Sequence, residues 1–297
     1  MESIQGLESL YLKENTAVTL GKFDGVHRGH QKLIKRTRDL ECRGCKSVVM
    51  TLNKNTLEFL LTDLERKKML DNMGISFLVE CPFVPEIIQM PPEVFVNEIL
   101  VARLHAKYIV VGEDFRFGYR RQGDVKTLMQ LQKKYGYCLD VIKKERYQGS
   151  DISSSFIKRE LKKGNMELVN TLLGYPYVVS GEVLHGRKIG RTLGMPTTNL
   201  KPDAEKLLPP NGVYFSYVLI EDKRFHGVTN IGCKPTVGEK FRGVETYIFH
   251  FDEDLYGKNI EVQLLTFKRP EMKFDSLEEL KEQMNKDISL GREYFNE

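Results

Sequence analysis

"TLGKFDGVHRGHQKLI", residues 19–34, decides how the first half of the chain folds. It starts on β-favouring residues, passes Gly21 and Gly25, and leaves with apolar residues at helical spacing. A strand that turns directly into a helix is the opening of a βα unit. Two of the chain's six histidines, His27 and His30, stand at the predicted helix start, three apart and so on one face. Backbone N–H groups at a helix N-terminus, with imidazole donors beside them, suit polyphosphate oxygens and the charge that develops on a displaced pyrophosphate. The residues alone leave a surface pair or half of a zinc site open, although no acidic or thiol residue nearby is spaced as a third zinc ligand.

The same alternation continues outward. "AVTL" (17–20), "SVVMTL" (47–52), "FLVE" (77–80), "YIVVG" (108–112) and "CLDVI" (138–142) read as strands, with helical spacing at 31–40 and 92–100 between them. Strands separated by helices predict right-handed βαβ crossovers and a parallel, doubly wound sheet. Ligands of such sheets bind outside the carboxyl ends of the strands, and both "GKFDGVHRGH" and "GEDFRFG" follow a strand directly. Near residue 175 the pattern changes. "YVVSGEV", "GVYFSYVLI", "RFHGVTNIG", "VETYIFHF" and "IEVQLLTF" follow one another with little helix between, which predicts an antiparallel barrel or sandwich. A last helix opens at "FDSLEEL", with Ser276 and Glu279 spaced for a capping box and Phe274 for a hydrophobic staple. The helical stretch 158–174 is expected to bridge a domain at 1–160 and a second at 176–297.

Composition bounds the function. No apolar run approaches a membrane span and no basic-then-apolar leader precedes the first strand, so a cytoplasmic enzyme without membrane contact is expected. A net charge of +4, with basic residues spread along the chain, suits anionic small molecules and not a nucleic-acid face. Five cysteines do not form a disulfide framework, and Cys42–Cys45 is a lone C-x-x-C without a second ligand pair. Oligomeric state is left open.

"HGRKIGRTLGMPTTNL", 185–200, places Gly186, Gly190 and Gly194 ahead of Thr197 and Asn199. It is not a P-loop. A hydroxyl and an amide oxygen are hard ligands of the kind magnesium accepts alongside phosphates and water; composition alone equally describes a set of turns. Glu245, in "VETYIFHF", is expected to share a face with Tyr247, Phe249 and Phe251 by strand alternation. A carboxylate buried among aromatics has a raised pKa and approaches what a general base needs, unless neighbouring amides satisfy it as a structural group.

These motifs resemble the bacterial bifunctional riboflavin kinase/FAD synthetases. "GKFDGVHRGH", "VVGEDFRFGYRRQGDV" (110–125) and "ISSSFIKREL" (152–161) are similar to the three motifs of its adenylyltransferase half. G-R-T-L-G-[FM]-P-T-x-N at 190–199, "GVTNIGCKPTVG" (227–238) and "DLYGKNIEVQLLTFKRPEMKF" (254–274) are similar to its kinase half. The resemblance implies phosphorylation of riboflavin to FMN, then adenylylation of FMN to FAD, with ATP and Mg2+. It puts Gly21, Lys22, Phe23, Asp24, Gly25, His27 and His30 around ATP, with Gly112 and Asp114 in the nucleotide pocket and Phe117 beside the flavin. Ser153, Ser154, Ser155 and Lys158 begin a phosphate site. In the kinase half it implies nucleotide contacts at Gly186, Gly190 and Arg191, magnesium on Thr197 and Asn199, Glu245 as base, and Arg269 and Glu271 in a flavin-side flap. The chain departs from the pattern at Lys22, at Lys158 and at Asn53–Lys54–Asn55, where the family has Asn, Arg and an Asp-Pro-His-Pro run. Those departures define the rival reading, a riboflavin kinase with an impaired first domain. A flavin-binding regulator is the rival from another class.

Overall fold

The computed structural model describes residues 1–8, 10–53, 58–82, 84–185, 189–221, 223–236 and 239–297. They form two compact units, Met1–Ser154 and Ser155–Glu297.

The first unit is built on a parallel sheet. Its strands are β1 (Glu2–Gln5), β2 (Thr16–Gly21), β3 (Lys46–Asn53), β4 (Phe77–Pro82), β5 (Ala106–Gly112) and β8 (Cys138–Ile142), in the order β1-β4-β3-β2-β5-β8. Two small hairpins, β6 (Arg116–Phe117) with β7 (Gly123–Asp124) and β9 (Arg146–Tyr147) with β10 (Ser150–Asp151), sit in the loops. The crossovers carry α1 (Arg28–Asp39), α2 (Asp63–Asn72), α3 (Pro85–Ile88), α4 (Pro92–Val94), which continues as a π-helix over Phe95–Arg103, and α5 (Val125–Tyr135). Strand β1 is an addition to the expected set; at four residues and mostly exposed it carries little apolar signal. The sequence β2, β3, β4 builds outward one way, and β5 then pairs with β2 on its other side. The direction of winding therefore reverses between β2 and β5, and ligands of doubly wound sheets bind at such a point.

The second unit opens with α6 (Ser154–Lys162), whose first residue ends the first unit, and α7 (Met166–Leu173). The stretch expected as a bridge is thus two helices that group with the second unit. Asn170 explains why: its Nδ2 donates to the carbonyls of Leu264 at 2.9 Å and Leu265 at 3.3 Å, and its Oδ1 accepts the Tyr177 amide at 2.8 Å. The antiparallel sheet consists of β11 (Tyr177–Glu182), β12 (Thr197–Leu200), β13 (Gly212–Ile220), β14 (Lys223–Thr236), β15 (Glu239–Ile248) and β16 (Asn259–Pro270), in the order β11-β16-β13-β14-β15-β12. A bridge between Val183 and Leu200 joins the two edges and closes the barrel.

Helix α8 (Ile189–Thr192) precedes β12, and α9 (Leu277–Phe295) lies against the barrel. A Cβ on Gly291 would meet Val228 Cγ2 at 2.9 Å and Phe249 Cζ at 3.0 Å, so only glycine lets α9 come this close. Ser276 caps α9 by accepting the Glu279 amide at 3.1 Å, but the Glu279 carboxylate accepts from Asp275 N instead of from Ser276 N. The cap is present without the reciprocal bond of the expected box.

Candidate active sites

The loop after β2 is tightly wound. Phe23, Gly25 and Val26 have φ of 48°, 84° and 33°, and Phe23 and Val26 are fully buried. Positive φ at a β-branched residue is strained, and here burial of both side chains holds it. The wound loop delivers His27 as the N-cap of α1, where its ring nitrogen Nδ1 accepts the His30 amide at 3.4 Å. The proton of neutral His27 consequently sits on Nε2, the atom left to donate. The two imidazoles stack with centroids 3.7 Å apart, and Phe23 lies 5.1 Å from the His30 ring. Burial pulls His27 down from 6.5 to about 4, against the opposing pull of Asp24. Burial first, and the adjacent His27 second, hold His30 well below its ordinary value. Both are neutral donors at pH 7. His30 Nδ1 is buried without a hydrogen-bond partner among the described residues, a vacancy in bonding that points to a functional group.

Other expected residues gather at the same strand ends. Gly21 ends β2 and Gly112 ends the neighbouring β5. Ser154 Oγ donates to the Asp24 carbonyl at 2.6 Å, tying the third motif to the first. Lys22 is exposed, and Ser153 is half-buried beside Ser154. The Asp24 carboxylate has a structural partner, accepting the Leu60 amide at 2.8 Å. Asp114 pairs with Lys144 at 3.0 Å. Phe117, expected beside the flavin, is 4% exposed and packs with Phe95 and Phe115, at 5.9 and 5.5 Å. Ser155 and Lys158 continue along α6, in the second unit. Lys54 and Asn55 lie outside the described residues. Sequence reasoning missed Glu145, whose carboxylate takes both Arg28, at 2.7 Å, and Lys32 of the α1 start.

In the second unit the candidate metal ligands are on a strand and not in a turn. Pairing with β15 puts Thr197 opposite Tyr247 and Asn199 opposite Glu245; pairing of β15 with β14 puts Asn230 opposite Glu245. Directly opposed residues of an antiparallel pair share a face. Thr197, Asn199, Glu245, Asn230 and Tyr247 therefore stand side by side by register alone. Gly190 supports that strand's start: its carbonyl accepts the Met195 amide at 2.7 Å, and a Cβ there would lie 2.4 Å from the Met195 oxygen. Gly186 lies outside the described residues, and Arg191 falls in α8.

Two cavities share Thr197 as a wall. One, of about 350 Å³, adds Asn199, Phe251, Asp252, Asp254 and Tyr256. The other, of about 280 Å³, adds half-buried Glu245, Asn230, Arg269, Glu271 and Asp287, under α9. Phe251 lies beyond the strand whose alternation was expected to set its face. Strand β15 ends at Ile248, and His250 at φ 53° breaks the alternation. Arg269 is gripped by Asp287, and Glu271 accepts from Asn211 Nδ2 at 3.0 Å. Asp252, Asp254, Asn230 and Asp287 were missed. Asn230 was findable by aligning β14 on β15; Asp287 carries no signal until α9 is docked.

Among the described residues no group of three or more His, Cys, Asp or Glu could hold a metal ion, and no helix is long and apolar enough to cross a membrane. Cys42 is exposed, while burial pushes the Cys45 thiol up.

A family model described as FAD synthetase matches residues 11–156, and one described as riboflavin kinase matches 173–295. The chain is similar to bifunctional riboflavin kinase/FMN adenylyltransferases of Buchnera aphidicola from Schizaphis graminum (36% identity, 100% of this chain and 99% of that protein) and Escherichia coli K12 (34%, 99% and 98%). The Bacillus subtilis enzyme of that name is 34% identical over 96% of this chain and 95% of its own. A crystal structure of a macrolide-efflux protein from Streptococcus pneumoniae superposes with a TM-score of 0.85 at 26% identity, covering 98% of this chain and 99% of that one.

Proposed function

The chain belongs to the family of bifunctional riboflavin kinases/FMN adenylyltransferases, and we propose how its two sites divide that work. It phosphorylates riboflavin to FMN and adenylates FMN to FAD, each with ATP. The observation that carries the division is the register of β12, β15 and β14, which sets two oxygen ligands beside one carboxylate where two cavities meet.

In the second unit Glu245 accepts the proton of the riboflavin 5′-hydroxyl, since a neutral alcohol must be made nucleophilic. Riboflavin lies in the cavity of Glu245, Arg269 and Glu271, and ATP in that of Asn199, with Gly190 and Arg191 toward its phosphates. The donor set fits magnesium: Thr197 hydroxyl and Asn199 amide oxygen are hard ligands two residues apart on one face, next to the carboxylate. Magnesium, when bound, neutralises phosphate charge during phosphoryl transfer. Thr197, at the shared wall, orients the γ-phosphate toward the hydroxyl.

In the first unit the FMN phosphate attacks the α-phosphorus of ATP and pyrophosphate leaves. The nucleophile is already an anion, so no base is needed. His27 and His30 donate to the departing oxygens, with Gly21, Gly25, Lys22, Ser153 and Ser154 around the triphosphate. We take Ser155 and Lys158, and domain limits of 1–160 and 176–297, as part of the same proposal. A cytoplasmic location accords with five free cysteines. Incubation of the pure protein with riboflavin, ATP and magnesium, with flavins separated over time, tests the whole: FMN appears first and FAD follows. A product that stops at FMN sinks the adenylyltransferase half, and no FMN sinks the kinase half.

A further inference from the structure

The cavity assigned to riboflavin contains a guanidinium that the phosphoryl transfer does not call for. Arg269 is the one cation among the described residues that line it. It does not face the cavity as a bare charge. Asp287 takes it at two points, Nε to Oδ1 at 3.0 Å and Nη2 to Oδ2 at 2.5 Å, while Nη1 donates to the Pro270 carbonyl at 3.0 Å. The Asp287 side chain is 8% exposed and Arg269 21%, and Gln283 Nε2 donates to Asp287 Oδ1 at 3.0 Å. A fork-to-fork pair of this kind is fixed in orientation as well as charge. It ties the end of β16 to α9, just before Glu271, Met272 and Phe274, which also line the cavity.

Riboflavin is uncharged and gains nothing from an open guanidinium, whereas its product carries a phosphate that would. Resting on the kinase reading above, we propose that Asp287 is a positioning and specificity-determining residue. By capping Arg269 it holds the flap's first residue in place and removes an anion site from the flavin cavity. The cavity then receives the neutral flavin and does not retain the phosphorylated one.

The test follows ADP release, which adenylyl transfer does not produce, since that reaction liberates pyrophosphate. Riboflavin is varied and FMN is added as inhibitor, and the ratio of the FMN inhibition constant to the riboflavin KM is compared between variants. In Asp287→Asn the guanidinium is uncapped, and the ratio falls about fivefold, the scale of one partly screened charge. In Arg269→Gln/Asp287→Asn the pair is neutral again, and the ratio returns to within about twofold of wild type. A packing role alone moves both constants together. An unchanged ratio in Asp287→Asn overturns the proposal, and so does a double variant whose ratio stays with the single one. Should Asp287→Asn fail to fold, Arg269→Gln reads the same charge from the other side: the carboxylate is left alone, and FMN inhibition weakens relative to KM. An unchanged ratio there is equally fatal. Wild type that releases no ADP with riboflavin removes the kinase reading instead.

Discussion

The two sites are made in opposite ways. In the first unit a strained loop, with positive φ at Phe23 and Val26, delivers two stacked, neutral imidazoles to the point where the sheet reverses its winding. In the second, strand register alone aligns Thr197, Asn199, Glu245 and Asn230, and the one acid is half-exposed beside a cavity. The difference follows the chemistry each site is given. An anionic nucleophile needs its leaving group's charge met by prearranged donors; a neutral alcohol needs a base. Loop strain can be spent on placing donors, whereas a base has to stand at a fixed distance from a ligand pair, which a ladder of strands supplies.

The sharpest way to break the comparison is to remove the base. Glu245→Gln lowers FMN formation by about 10²–10⁴-fold, the usual cost of losing general-base catalysis, and leaves conversion of supplied FMN to FAD near wild type. Separate assays on riboflavin and on FMN decide it. Equal loss in both reactions would mean that the sites are not independent. Next in size are His27→Ala and His30→Ala. Each lowers FAD synthesis by about 10²–10³-fold, as for an oxyanion-hole donor, mainly in kcat because the charge appears only as the bond breaks. ADP release with riboflavin stays within a few-fold of normal. Alanine variants that match wild type in FAD synthesis would leave the stacked pair as a packing feature.

The same contrast marks what the sequence could disclose. Both fold classes were readable, because period-2 and period-3.6 patterns alternate in one half and only the former persists in the other. The two histidines were placed at a helix start, yet their stacking and their burial were not visible, since these depend on the backbone turning back at Phe23 and Val26. Thr197 and Asn199 were singled out, but on residue type they suited a turn; only β15 lying alongside makes them a strand. An aromatic in a motif after a parallel strand can face ligand or core, and the contacts of Phe117 with Phe95 and Phe115 were not legible in the sequence. Residues 155–175 group with the second unit through ties the sequence does not display, among them the polar side chain of Asn170 beside buried Met166, Val169, Leu172 and Leu173.

That tie gives a prediction of intermediate size. Asn170→Ala removes hydrogen bonds to Leu264, Leu265 and Tyr177 and leaves partly buried backbone groups unmet. The kinase unit should lose about 2–3 kcal/mol. A fragment spanning 155–297 should accordingly melt higher than one spanning 176–297. Thermal unfolding of both fragments, with kinase activity as the second readout, checks it. Equal melting temperatures would mean that α6 and α7 contribute nothing to the barrel.

The smallest expected effect concerns the histidines again, through acid stability. His27 has a folded-state value of about 4 against 6.5 when unfolded. Between those limits the unfolded chain binds a proton that the native loop refuses, so stability rises with pH across this window and is lost as pH falls through it. Protonation at Nδ1 would also end its acceptance of the His30 amide, which caps α1. From pH 7.5 to pH 5.5 the loss from His27 should be roughly 1 kcal/mol, and His30, held low by burial and by His27, adds to it in the same direction. His27→Gln, which keeps a polar side chain without the titration, should therefore narrow the difference in unfolding free energy between the two pH values by about that amount. Denaturant unfolding of wild type and variant at both pH values measures it. A variant as acid-sensitive as wild type would mean that the His27 imidazole is already protonated in the native loop, and the first site would then hold a cation where neutral donors have been argued.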